Sequence, residues 1–377
     1  MNSLAPVRSS PTESGFVAAT RMAVALAVAT AAGLLSLNAA DVNATLDAAA
    51  KAMGATNVNS VQVTATGSNG TFGQSFKPGG PWPVFKVTSY TQTINFADPS
   101  MRIELERTNP DGPLQGSGLP LSPPLPQKQI QAVNGRMAWN VGAGPAGTAT
   151  PALNTADERL LVLWMSPLGV IKAAQQNKST VSGRTISFTA QGSNVKATLA
   201  ADNKVQKVET LIDNAVTGDT PMEWEYSAYQ DFGGVKYPTR IVQKQGGFPI
   251  LELTVTDVRP GGGNAPTHTP PNVSQAAAKQ TSAAPAAQTV TLAKVADGVH
   301  HVTGGSHHSL IVEFNDHVVL FEVPQNDARA IAVIDATRKA FPKKPIRYVV
   351  NSHHHFDHAG GVRAAIAEGL TIITQAQ

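Results

Sequence analysis

The apolar run Ile346 to Val350 leads directly into Asn351-Ser352-His353-His354-His355-Phe356-Asp357-His358, and Ala359, Gly360 and Gly361 follow. A short strand of the buried kind, a polar loop and a glycine-opened helix in that order commit this part of the chain to an α/β arrangement. In such sheets the loops at the carboxyl ends of the strands build the site. Histidine usage points to the same place. Of the ten histidines none precedes His268, and the other nine fall between His300 and His358, so imidazole chemistry belongs to the C-terminal segment. Cysteine is absent, which removes disulfides, thiolate ligands and a cysteine nucleophile together, so any metal must be held by nitrogen and oxygen.

The flanking pattern is consistent with this reading. Leu310 to Phe314 and Val318 to Phe321 are apolar runs joined by Asn315-Asp316, which predicts a hairpin. A helix is expected from Asn326, with Ile331, Ile334 and Phe341 on its buried stripe and Pro342 as its stop. Arg338, Lys339, Lys343, Lys344 and Arg347 then read as a solvated face.

His353 and His355 are two residues apart, so in an extended loop their side chains project the same way and can meet one ion. Asp357 and His358 lie just past the turn and can offer a carboxylate and an imidazole to a second ion. The string resembles the His-x-His-x-Asp-His signature of the metallo-β-lactamase superfamily, matched by His353, His355, Asp357 and His358. The resemblance implies an αββα fold, two zinc ions, and a catalytic Asp357 that orients or deprotonates the attacking water. It places Glu322 at the family's acidic strand end and makes His354 a non-ligand. His307 and His308 read as polar loop residues, and His300, His301 and His317 as surface or strand residues. The same family draws further ligands from a second αβ half: a histidine, a bridging aspartate or cysteine, and a final histidine. Residues 290–377 contain none of that half, so the expectation is an incomplete αββα domain with a partial active site, from a truncated or incomplete chain.

Upstream the patterns change. Val42 to Met53 reads as a helix with Leu46, Ala49, Ala50 and Met53 on one side. Val61, Val63 and Ala65 alternate with polar neighbours, and Val195, Ala197 and Leu199 are expected to face Val208 and Ile212 across a turn at Asp202-Asn203. Thr155 and Glu158 suggest a capping box opening a helix that breaks near Pro167. Further strands are expected at Glu223 to Gln230, Thr239 to Gln245 and Ile250 to Val258. This element order resembles the half-barrel of lipoprotein-carrier proteins, which implies an apolar concavity. Residues 260–289, rich in Gly, Pro, Ala and Ser, read as a flexible linker in which His268 is solvated.

The expected protein is thus multidomain α+β: signal peptide 1–40, β-rich carrier-like domain 41–259, linker 260–289, and metallo-β-lactamase-type half 290–377. Its function would be zinc-dependent hydrolysis of an ester, amide, thioester or β-lactam. The alternative is periplasmic binding of an apolar or acyl ligand by the N-terminal domain. A formal charge of +3 is too small to suggest a surface for nucleic acid, so the partner expected is a small-molecule substrate; oligomeric state is left open. The uncharged run Met22 to Leu37, preceded by Arg21 and followed by Ala39-Ala40, reads as an export signal too short for a stable membrane span of about 20 residues. Expressed in a bacterium, the mature chain is expected in the periplasm, beginning near Ala40 or Asp41. N-terminal sequencing that finds the intact leader on a cytoplasmic product would defeat this expectation.

Overall fold

The computed structural model describes residues 41–75, 79–109, 126–142, 147–263, 265–266, 268–282 and 288–376. The export signal expected at 1–40 lies outside them. The fold is β-rich mixed α/β with a large antiparallel sheet. Helix α1 covers residues 41–53. Leu46, Ala49, Ala50 and Met53 are buried on one side of it, as their spacing requires. Gly54 follows at φ +63°, where an added Cβ would lie 2.1 Å from the Gly234 carbonyl oxygen. Thirteen strands then form one antiparallel sheet. They are β1 (Ser60–Gly70), β2 (Val84–Asn95), β3 (Ser100–Thr108), β4 (Gln127–Asn134), β5 (Met137–Val141), β6 (Ala149–Pro151), β7 (Thr180–Ser182), β8 (Thr185–Ala190), β9 (Ser193–Leu199), β10 (Val205–Asn214), β11 (Gly218–Phe232), β12 (Val235–Gln245) and β13 (Phe248–Pro260). Their order is 6-5-4-3-2-1-13-12-11-10-9-8-7, so β1 against β13 closes the longest loop in the sheet.

Helices α2 (Ala156–Met165) and α3 (Pro167–Gln176) interrupt this sequence of strands. Leu163, Met165, Leu168 and Ile171 bury completely in one core with α1 and the inward residues of both halves of the sheet. The capping box expected at Thr155 does not form. The Thr155 hydroxyl donates backwards to the Ala152 carbonyl at 2.8 Å and caps no helix amide. Ser166 does the capping at the next junction, accepting from Gly169 N, with Pro167 opening α3 rather than only ending α2.

The segment expected to be structureless holds α4 (Pro271–Ser282). Val273 is fully buried there against Ala132 and Trp139, so one apolar side chain anchors an otherwise polar stretch to the sheet.

A second sheet has the order β14 (Thr291–Ala296), β15 (Val299–Thr303), β16 (Ser309–Glu313), β17 (Val318–Phe321), β18 (Ile346–Val350) and β19 (Thr371–Ile373). The β16–β17 hairpin forms as expected, and β17, β18 and β19 run parallel. Helix α5 (Asp327–Ala340) starts on the Asn326 side chain, which accepts from Arg329 N at 3.0 Å. Its buried stripe is Ala330, Val333, Ile334 and Thr337; Ile331, expected on that stripe, is 42% exposed. Short helices α6 (Phe356–Ala359) and α7 (Val362–Ala367) follow β18. Among the described residues no helix is long and apolar enough to cross a membrane.

Arg159 ties α2 to the sheet: it is buried, and its guanidinium donates to the carbonyls of Ala132 at 2.9 Å and Trp139 at 2.6 Å. Arg159→Leu leaves both carbonyls without that donor and should lower stability by ~2–4 kcal/mol. A urea midpoint unchanged from the parent chain would contradict that role.

Candidate metal centre

Strand pairing decides which loops meet. Leu310 faces Phe321 across β16–β17, and Phe321 faces Val350 across β17–β18. The loop 304–308 before β16, the residues after β17 and the loop after β18 therefore emerge at one edge of the sheet. Glu322 ends β17 at φ +66° and joins two of them. Its carboxylate accepts from Ser352 N at 2.9 Å and Asn351 Nδ2 at 3.3 Å, while its own amide donates to the Val350 carbonyl at 2.9 Å.

The histidine loop ends where α6 begins, and α6 must turn back close to the 323–325 backbone. Two glycines permit this. A Cβ at Gly360 would lie 2.1 Å from the Gln325 carbonyl oxygen, and one at Gly361 would lie 2.4 Å from Ala330 Cβ and 2.5 Å from the Val323 oxygen. Gly361 N also donates to the Val323 carbonyl at 2.8 Å. Asp357 and His358, which sit on α6, are thereby carried towards Glu322 and the 304–308 loop.

Of the residues singled out by sequence, the structure brings Asp357 and His358 into one potential ligand group. The third member is His307, which sequence reasoning left as a polar loop residue. One ligand atom from each of the three lies within 4.8 Å of the others. His307 Nε2 is 3.0 Å from Asp357 Oδ2, and His358 Nδ1 is 3.5 Å from Glu322. The His307 ring is held from behind, because Gln325 Nε2 donates to Ser306 Oγ at 2.7 Å and Ser306 Oγ lies 3.0 Å from His307 Nδ1. The signal available in the sequence was the Gly304-Gly305-Ser306 turn that delivers it.

His353 and His355 are not in that three-residue group but adjoin it. The His353 ring centroid is 4.1 Å from that of His358 and 4.7 Å from that of His355. Partial burial, and then the neighbouring His358 and His355, hold His353 below the ordinary histidine pKa and favour its neutral, lone-pair-bearing form. His354 turns away, with Nε2 3.1 Å from Ser75 Oγ in the loop after β1. His355 Nε2 lies 2.9 Å from the Ser75 carbonyl, to which it donates. Asp357 Oδ1 is buried without a hydrogen-bond partner, a deficit that a cation would satisfy. Of the basic residues expected on a solvated face, Arg338 meets Glu368, Lys344 meets Glu313 and Arg347 meets Asp316 in partly exposed pairs.

Comparison with known proteins finds likenesses in the C-terminal segment. Residues 302–368 match the model of the metallo-beta-lactamase superfamily. A linear primary-alkylsulfatase from a Pseudomonas species is 36% identical over 78 residues, 20% of this chain and 12% of that protein. Among solved structures, the mono-zinc form of the metallo-beta-lactamase FIM-1 from Pseudomonas aeruginosa aligns at 31% identity and TM-score 0.22, covering 23% of this chain and 42% of that one. A metallo-beta-lactamase from Hirschia baltica aligns at 29% identity and TM-score 0.22, covering 23% and 43%. The chain thus spans about an eighth of the alkylsulfatase and under half of each of these lactamases. The superfamily likeness is therefore confined to the C-terminal segment, residues 302–368.

The glycine pair gives a direct test. Gly361→Ala must displace Ala330 or the 323 carbonyl and should cost ~1–3 kcal/mol by overpacking, with loss of amide protection in α6. Unchanged hydrogen exchange at 356–361 would show that the close approach does not hold the loop.

Proposed function

We propose that this cluster is the water-activating centre of a metal-dependent hydrolase that takes zinc and cleaves an ester, amide, thioester or β-lactam. The observation that carries the reading is the convergence of His307, Asp357 and His358, in which both imidazoles approach Asp357 Oδ2 while its Oδ1 is buried without a partner. The donor set supports zinc, being imidazole nitrogen and carboxylate oxygen. Tetrahedral zinc with bonds near 2.0–2.1 Å spaces its ligand atoms roughly 3.3 Å apart, so a group within 4.8 Å needs only modest side-chain rotation to close. On this reading His353 and His355 serve one ion and Asp357 and His358 a second, with His307 an additional ligand. Bound zinc would lower the pKa of its water towards ~7 and polarise the bond under attack.

The chain's own residues do the rest. Asp357 accepts a hydrogen bond from the attacking water and receives its proton. Glu322 holds the loop by two hydrogen bonds, and Gln325 and Ser306 fix the His307 ring. The alkylsulfatase likeness adds a sulfate ester to the candidate substrates. We also treat 41–259 and 290–377 as separate domains, supported by their separate sheets and cores, and residues 1–40 as an export signal that delivers a small-molecule hydrolase to the periplasm. The half-barrel reading of 41–259 is supported by α1, α2 and α3 sharing one core with both halves of the large sheet.

The experiment is zinc titration of the purified chain with parallel assays on carboxylate, thioester, β-lactam and sulfate ester substrates. Asp357→Ala and His307→Ala should weaken zinc at least as much as the ~10–100-fold typical for lost outer-sphere partners. Asp357→Ala should also remove most turnover. His354→Ala, whose ring turns to Ser75, should cost far less. A chain that takes no zinc, or an Asp357→Ala variant with parental zinc affinity, would sink the proposal.

A further inference from the structure

We infer that an apolar cleft on the large sheet, walled by Trp82, Val84, Phe248, Pro249 and Ile250, holds the hydrocarbon chain of a substrate whose hydrolysable head points towards the histidine loop. This rests on the hydrolase reading above. The cleft encloses about 510 Å³, within the roughly 300–1,000 Å³ usual for small-molecule sites. Its wall is aromatic: Phe72 packs edge-on to Trp82 at 4.6 Å between ring centroids, and Trp82 lies 4.6 Å from Phe248. Phe248 is 56% exposed and Val84 45% exposed, although both stand on a well-formed sheet. Large apolar side chains gathered on one concave, uncovered surface mark a binding surface more than scattered exposed residues do.

Position makes the cleft relevant to the chemistry. Ser75 lines it, is itself buried, and holds His354 through its hydroxyl and His355 through its carbonyl. Ser75 and Gly79 also line an adjoining cleft of about 450 Å³ that includes Asn351, His354 and Arg363. That adjoining cleft mixes these polar groups with Val216, Val362, Ile366 and Ile372, and Ser75 is the residue through which both clefts border the histidine loop. Among the described residues lining the aromatic cleft, the charged side chain is Glu252, and it is paired with Arg240 at 3.3 Å.

The test separates binding from hydrolysis by using the full chain in EDTA, with acetate, hexanoate and decanoate as probes. Calorimetry is read beside tryptophan fluorescence. Trp139, Trp164 and Trp224 are at most 6% exposed, which leaves half-buried Trp82 as the reporter. Affinity should rise roughly three- to fourfold for each added methylene that is buried. Trp82→Ala and Phe248→Ser should each weaken decanoate by roughly tenfold and leave acetate unchanged. Because Phe248 is already exposed, its substitution probes the cleft without emptying the core, and circular dichroism confirms the fold. Decanoate binding no tighter than acetate, or tight binding indifferent to both substitutions, would overturn the inference. Decanoate binding that follows the predicted pattern in a chain without zinc-dependent turnover would support the cleft while sinking the hydrolase reading.

Discussion

The parallel pairing of β17 with β18 is the constraint on which the candidate centre depends. Because Phe321 and Val350 are side by side, both strands release their chains at the same edge, and the antiparallel β16 begins there too. Three segments distant in sequence are delivered within side-chain reach: 304–308 with His307, 322–325 with Glu322 and Gln325, and 351–358 with the histidine string. Holding them there requires unusual backbone. Glu322 and Gln325 both have positive φ, a conformation that costs of order 1 kcal/mol or more for a residue with a Cβ. The hydrogen bonds of Glu322 to Ser352 and Val350, and the tight approach of Gly360 and Gly361, offset that cost by fixing the loop on both sides.

Much of this was legible because each signal was local. The string His353 to His358 follows a short buried strand, the Asn315-Asp316 turn closes a hairpin, and Asn326 caps the helix that follows. Helix α1 was readable from one apolar stripe, and the β9–β10 turn from Asp202-Asn203, where Asn203 adopts φ +63°. The misses share a different cause. His307 joins Asp357 through the pairing of β16, β17 and β18, and the Gly304-Gly305-Ser306 turn beside it is a local sign of a tight loop, which does not by itself announce a ligand. Ile331 was assigned to the core by hydrophobicity, yet the helical period that buries Ala330, Val333, Ile334 and Thr337 turns it outward. The strands between Val84 and Val141 escaped because their buried residues are interspersed with Gln, Thr and Arg, which the sheet accommodates through cross-strand pairs such as Gln92 with Met101. Helix α4 buries one valine and adds a hydrogen bond from Asn272 to the Ala149 carbonyl, too little for a composition argument to detect.

The two sheets have separate hydrophobic cores, and polar contacts connect them at the site's edge. Arg363 on α7 pairs with Asp213 of β10 at 2.7 Å, an exposed pair of the kind that contributes little on its own. Ser75 is different in character, being buried and bonded to two successive histidines. The large sheet therefore reaches the centre through a serine, and a change in the loop after β1 would be felt first by the histidine ring that it holds.

That contact also selects an atom. A neutral imidazole carries one proton, and a carbonyl oxygen can only accept, so the bond from His355 Nε2 to the Ser75 oxygen places the proton on Nε2 and leaves the lone pair on Nδ1. Were the ring free to flip, either nitrogen could face a cation and the site would have two competing geometries. With the tautomer set by a backbone oxygen, which no substitution at Ser75 other than a change of chain path can remove, Nδ1 is the nitrogen that keeps a free lone pair in the neutral ring. His307 is oriented by the same principle from the opposite side, with Nδ1 at Ser306 and Nε2 at Asp357. His355 is thus held through Nε2 by a backbone oxygen and His307 through Nδ1 by a hydroxyl, so each ring has a partner outside the cluster that restricts its orientation, as the outer partners of metal-binding histidines do.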